Sequence, residues 1–190
     1  MSYYYYIFIA IFFLIDKLFS MLIPYDASMQ TLSLVSQMSF MMLILSTRKN
    51  SIQSSLLLAL FLGVLTDVYG NITFILYCVL MIAMVFIAYS WSRNLTDTIF
   101  ENFILVITVL FVKELILFVF MRWSNTTDLS VLSWFIKREA GTLIFNGICS
   151  SLVIYTTRKI DHHISELDDE RKHGESVKWL QRRLRAEKRS

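Results

Sequence analysis

Long apolar stretches, broken by short polar ones, organise this sequence from its first residues to about residue 157. Runs such as Tyr3 to Ile23 and Ile72 to Trp91 are long enough to cross a hydrocarbon layer of about 30 Å. The pattern predicts six membrane spans, at about 3–23, 31–47, 53–68, 72–91, 102–121 and 142–157. The second and third are short and separated only by Thr47-Arg48-Lys49-Asn50-Ser51. The third and fourth are joined around Gly70-Asn71, a tight turn whose glycine readily takes positive φ. Trp91, Trp123, Trp134 and the Tyr3–Tyr6 run fall near span ends, as interfacial aromatics do. No internal repeat is visible.

Composition agrees with the pattern. The 190 residues are 56% hydrophobic with mean hydropathy +0.57, which excludes a soluble domain built on a single core. The N-terminus has no basic region and no small-residue cleavage site, so it reads as a first span. Cys78 and Cys149 lie in apolar segments without metal-ligand spacing and read as reduced core residues.

Charge sets the orientation. Ten of the 18 lysines and arginines follow residue 157, which places both termini in the cytoplasm with Arg48, Lys49 and Arg93. Arg122, Lys137 and Arg138 then fall in an outer loop, 122–141. There Val131, Leu132, Trp134 and Phe135 make either a short interfacial helix or a loop dipping into the headgroups. The tail, 158–190, continues the sixth helix through Ile160, Ile164 and Leu167 until Gly174 breaks it. Beyond the break, Val177, Leu180 and Leu184 share a face, flanked by Lys178, Arg182, Arg183 and Arg185. Three readings stand for this basic segment: a solvated topology signal, a helix on anionic lipid, or a dock for a cytoplasmic protein.

Five ionisable residues fall within spans: Asp16, Lys17, Asp67, Lys113 and Glu114. A carboxylate at membrane depth costs roughly 2.5–3.5 kcal/mol on insertion scales, so each is buried against protein, placed near an interface, or used. Sequence neighbours do not face each other on a helix, which argues against Asp16–Lys17 and Lys113–Glu114 contacts. Asp16 and Lys113 lie at similar depths, roughly 16–18 Å from the inner face at 1.5 Å per residue. Asp16 with Lys113, or Lys17 with Glu114, are therefore the expected pairs, as packing contacts or as part of an ion path. Asp67 falls near the outer end of the third span and either caps the turn amides at Tyr69–Asn71 or faces a groove. Gly63, four residues before it, shares its helical face and lets a neighbouring backbone approach. His162-His163 beside Asp161 lack further ligand spacing, and no catalytic, phosphate-binding or nucleic-acid motif is present. No enzyme activity, cofactor, metal or nucleic-acid partner is expected.

Three stretches together resemble the rod shape-determining MreD family of bacterial inner-membrane proteins. They are Phe12-Phe13-Leu14-Ile15-Asp16-Lys17-Leu18-Phe19-Ser20, Ala59-Leu60-Phe61-Leu62-Gly63-Val64-Leu65-Thr66-Asp67, and Thr142-Leu143-Ile144-Phe145-Asn146. Two positions depart from the family pattern: no glycine opens the fourth helix at Ile72-Thr73-Phe74, and Gly141 stands where a proline commonly precedes the last motif. The resemblance implies a six-helix, N-in/C-in bundle similar to the substrate-binding subunits of energy-coupling-factor transporters. It implies a non-enzymatic subunit of the cell-elongation machinery. Such a subunit binds the MreC membrane helix, with RodA, a class B penicillin-binding protein and in many bacteria MreB as further partners. On this view Gly63, Asp67, Gly70 and the third-to-fourth turn form a groove for that helix, with Asn146 and Asp16 the matching residues elsewhere.

The alternatives belong to other classes. A vitamin-like solute-binding subunit of such a transporter needs convergent polar groups in a cavity, for which Asn146, Thr108, Ser39 and Gln37 are the candidates. The small-residue stripe expected for docking an energising partner is not evident in the first span, where Ala10 is nearly alone. A flippase of lipid-linked precursors needs a cationic cavity.

Overall fold

The computed structural model describes residues 3–22, 34–70, 75–93 and 95–187, without the side chains of 70, 168 and 173–187. Among the described residues the structure is 86% helix, with no strand. The helices are α1 (Tyr3–Leu22), α2 (Met38–Thr47), α3 (Ile52–Gly70), α4 (Leu76–Ser92), α5 (Ile99–Trp123), α6 (Val131–Trp134) and α7 (Ala140–Glu187). A single wide π-helical turn, Phe135–Glu139, joins α6 to α7.

Four helical segments are long and apolar enough to cross a membrane: Tyr3–Leu22, Ile52–Tyr69, Ile99–Trp123 and Val131–Lys172. In the expected second span the described residues 34–37 are not helical, and α2 begins at Met38. Its 10 residues rise about 15 Å, half a hydrocarbon layer. Every residue of α2 is buried, because α1, α3, α4, α5 and α7 all pack around it. It is the central strut of the bundle. The fourth expected span is the 17-residue α4.

Helix starts follow local chemistry where a good cap is present. Thr98 accepts a hydrogen bond from the Glu101 amide (3.2 Å) to begin α5, and Ser130 from the Ser133 amide (3.2 Å) to begin α6. Gly174 does not end the last helix as expected. An interior glycine costs only about 1 kcal/mol, and good helix formers surround it. The resulting 48-residue α7 is about 72 Å long and outruns any bilayer. Lys178, Arg182, Arg183 and Arg185 lie on its distal part, outside the described side chains.

Polarity is inverted relative to a water-soluble bundle. Leu14, Leu57, Phe61, Phe100, Ile144 and Ile148 point outward, while Asp16, Gln37, Lys113, Glu114, Arg138, Glu139 and Asn146 are buried. So broad an apolar exterior suits hydrocarbon, not water.

Candidate functional site

The polar interior gathers where α2 begins. Its N-cap residue, Gln37, makes no side-chain cap, so the first amides of α2 need acceptors from elsewhere. Asp16 of α1 supplies them. One carboxylate oxygen accepts from the Met38 amide (2.9 Å) and the Ser36 hydroxyl (2.6 Å). The other accepts from the Ser39 amide (2.9 Å) and hydroxyl (2.7 Å). A negative charge at the positive end of a helix dipole adds to those bonds. Asn146 of α7 pins the segment leading into α2. It accepts from the Gln37 amide (3.0 Å) and donates to the carbonyls of Val35 (2.7 Å) and Thr142 (2.9 Å).

Asp67 repeats the device one helix pair later. Its two oxygens accept from the amides of Tyr77 and Cys78, each at 3.0 Å, in the first turn of α4. The amides that it caps are those of the next helix, while the expected turn at Tyr69–Asn71 lies partly outside the described residues. Ile75, which precedes α4, has φ 84° and makes no side-chain cap, so α4 also takes its cap from another helix. Gly63 explains how α3 and α4 come so close. A Cβ there would lie 2.4 Å from Cys78 Cα and 3.0 Å from its amide nitrogen. The groove expected at Gly63 is thus filled by the protein's own α4. Gly70 is the last residue of α3, and the turn after it lies outside the described residues.

The expected charge pairs are rearranged. Asp16 and Lys113 line one pocket without an ion pair between them, and the same holds for Lys17 and Glu114. Instead Glu114 is the hub. One oxygen accepts from Gln37 Nε2 (2.7 Å) with Lys113 Nζ at 3.4 Å, and the other lies 3.4 Å from Arg138 Nη2. Lys113 also donates to Gln37 Oε1 and sits 4.7 Å from the Phe40 ring centroid. The neighbours Lys113 and Glu114 do meet, against expectation, because Gln37 offers an acceptor and a donor side by side and draws both heads to it. Lys17 Nζ lies 5.0 Å from the ring centroids of both Phe13 and Tyr69, within cation–π range.

Arg138 and Trp134 were placed by sequence in an outer loop. Both are 1% exposed. The π turn carries Arg138 into the bundle, and Trp134 stacks on Phe118 at 4.7 Å between centroids. Beside Arg138, Glu139 is wholly buried, and neither of its oxygens has a hydrogen-bond partner among the described residues. Ser36 and Arg138 are the site residues that hydropathy does not mark, whereas Gln37 is legible as a polar residue at the edge of an apolar run. Cys78 and Cys149 are free thiols, as expected.

These groups enclose a pocket of about 320 Å³ between α1, α2, α3, α4, α5 and the π turn. Its lining includes Asp16, Lys17, Gln37, Ser39, Lys113, Glu114 and Arg138, with Phe13, Tyr69 and Tyr77 among its aromatic side chains. Of the solute-binding candidates, Ser39 and Gln37 line it, while Asn146 stands behind it as a backbone anchor and Thr108 does not line it.

At the other end of the bundle a second cluster ties the loops together. Arg48 donates to Asn102 and to the carbonyls of Leu95 (3.2 Å) and Thr96 (3.0 Å). Lys49 pairs with Asp97 and lies 3.7 Å from Asp161, which accepts from Tyr5. Partial burial pushes the Asp97 carboxyl up. Hydrogen bonds from Lys49 and Asn102, with the charges of Lys49 and Arg48, outweigh that and hold it below the ordinary range.

Inverted polarity, spanning-length helices and charges buried as a network define an α-helical membrane protein. No family model matches the chain, and no curated protein or solved structure matches it either.

Proposed function

We propose that this chain is a non-enzymatic subunit of the bacterial cell-elongation complex, similar to MreD. In this role it binds the membrane helix of an MreC partner and helps regulate peptidoglycan synthesis and cell shape. One observation supports the reading. The residues that carry the resemblance, Asp16, Gly63, Asp67 and Asn146, are the fastening points of a single bundle. Residues that fix a shape, and do not converge on one reacting centre, suit a subunit that works by contact. The protein would lie in the bacterial cytoplasmic membrane, with α4 and the chain leading into and through α2 completing six passes of a bundle similar to energy-coupling-factor binding subunits. RodA, a class B penicillin-binding protein and MreB would be reached through the complex. Because Cys78 fills the face of Gly63, the MreC helix would seat on the outward apolar surface.

A second reading, a vitamin-like solute-binding subunit of an energy-coupling-factor transporter, draws on the polar pocket. Affinity purification of the tagged protein in mild detergent, with mass spectrometry of what accompanies it, separates the two. Recovery of MreC near one-to-one, with the synthases trailing, is the expected result. Recovery of an ATPase pair with a coupling membrane subunit overturns it.

A further inference from the structure

The pocket at the start of α2 holds a lysine with no ion-pair partner among the described residues, and it has a thin wall. Among the described residues its lining holds three cations, Lys17, Lys113 and Arg138, and two carboxylates, Asp16 and Glu114. Both carboxylates are engaged: Asp16 by the amides and hydroxyls at the start of α2, Glu114 by Gln37, Lys113 and Arg138. Glu139 lies next to Arg138 in the chain but does not line the pocket. Lys17 stands apart from these contacts. Among the described residues no carboxylate lies within ion-pair distance of it, and its ammonium is held only by the Phe13 and Tyr69 rings.

Those two rings also mark the way in. Phe13 of α1 and Tyr69 of α3 meet edge to face at 6.1 Å, so Lys17 and two aromatic side chains bridge α1 and α3 at this level. Leu14, Leu18 and Val68 flank them and are exposed, where lipid chains would lie. Tyr69 itself is 64% exposed.

We propose that this pocket binds the phosphate headgroup of an anionic membrane lipid, admitted sideways between α1 and α3, with Lys17 as its counter-ion. A cation without an ion-pair partner in low dielectric is costly, and a phosphodiester brings a negative charge to Lys17. Basic pockets between membrane helices take phospholipid headgroups for this reason. The volume of about 320 Å³ is at the small end of ligand sites, which run to roughly 1,000 Å³, and suits a headgroup whose chains stay outside. The inference does not rest on the elongation-complex reading.

The test is native mass spectrometry of the delipidated full chain in detergent, offered phosphatidylglycerol and phosphatidylcholine in equal amounts. Wild type retains phosphatidylglycerol in preference, and Lys17→Gln lowers that retention about fivefold, the loss of one lysine–anionic lipid contact. Lys172→Gln, exposed on α7, leaves it unchanged. Ser20→Phe fills the pocket and keeps every charge, so it lowers retention even if Lys17→Gln fails to fold. Equal retention of the two lipids by wild type, or phosphatidylglycerol retention untouched by Ser20→Phe, overturns the proposal. Glycerophosphoglycerol, the same phosphodiester headgroup without chains, decides the source. If it displaces the lipid at equal concentration, the ligand is a soluble phosphate ester and the sideways route is wrong.

Discussion

Asp67 shows why a carboxylate is worth keeping at membrane depth. Both of its oxygens are acceptors, and each takes one amide of the first turn of α4. Asparagine has a single acceptor oxygen, and its NH₂ would face the second amide donor to donor. Asp67→Asn is therefore expected to lower stability by about 1–3 kcal/mol, the range for leaving a buried donor unsatisfied. Thermal unfolding in detergent measures it, with Asp169→Asn on exposed α7 as a control expected to match wild type. An Asp67→Asn midpoint equal to wild type would mean that the cap is not needed. The sequence marks Asp67 and Asp16 as costly residues with a structural use, but not the amides they serve. Amides carry no sequence signal. Asp67 reaches across to a helix whose first turn reads as plain apolar, and a carboxylate ten residues away satisfies it.

At the scale of helices, Gly63 and α2 mark the two limits of what hydropathy reveals. Glycine four residues before Asp67 signals close approach, and the structure identifies the approaching backbone as that of Cys78. A Cβ 2.4 Å from Cys78 Cα leaves no rotamer to escape into, so Gly63→Ala forces α3 and α4 apart, at a cost of roughly 1–3 kcal/mol. In a Cys149→Ser background, a membrane-permeant maleimide should label Cys78 markedly faster in Gly63→Ala than in wild type. Gly147→Ala, where a Cβ would sit 3.9 Å from Ile107, should leave labelling unchanged; equal labelling in all three would show that α3–α4 contact is not tight. The other limit is α2. Its apolar run reads as a span, yet α2 starts at Met38 because Asp16 and Asn146 hold Val35, Ser36 and Gln37 in a non-helical conformation. Apolar content cannot distinguish a short helix buried by its neighbours from a longer one facing lipid. The same blindness hid Arg138, since a basic residue between spans looks like a loop until a π turn carries it inside.

For the whole molecule, the two polar clusters do different jobs at opposite ends of α2. The one at its start lies among the helices, opens between α1 and α3, and holds a cation without a carboxylate partner among the described residues. The one at its end is open and fastens loops: Arg48 and Lys49 after α2, Asp97 and Asn102 around the start of α5, and Asp161 and Arg158 on α7. Asp97 is the shared partner there, and its side chain is 46% exposed, so the contribution is modest and screened by salt. Its sign is still fixed. The folded carboxyl titrates below the ordinary value of about 3.9, so its stabilisation is fully present above that pH and lost as pH falls through the folded value. Asp97→Asn should therefore unfold at lower temperature than wild type at neutral pH, and the gap should close below about pH 4. Other carboxylates titrate in the same window, but they do so in both proteins and cancel in the difference. A gap that stays constant from neutral to acid pH would mean that Asp97 holds the loops by shape alone. A gap that closes only above pH 5 would place the titrating partner elsewhere, because a depressed carboxylate cannot release its stabilisation there.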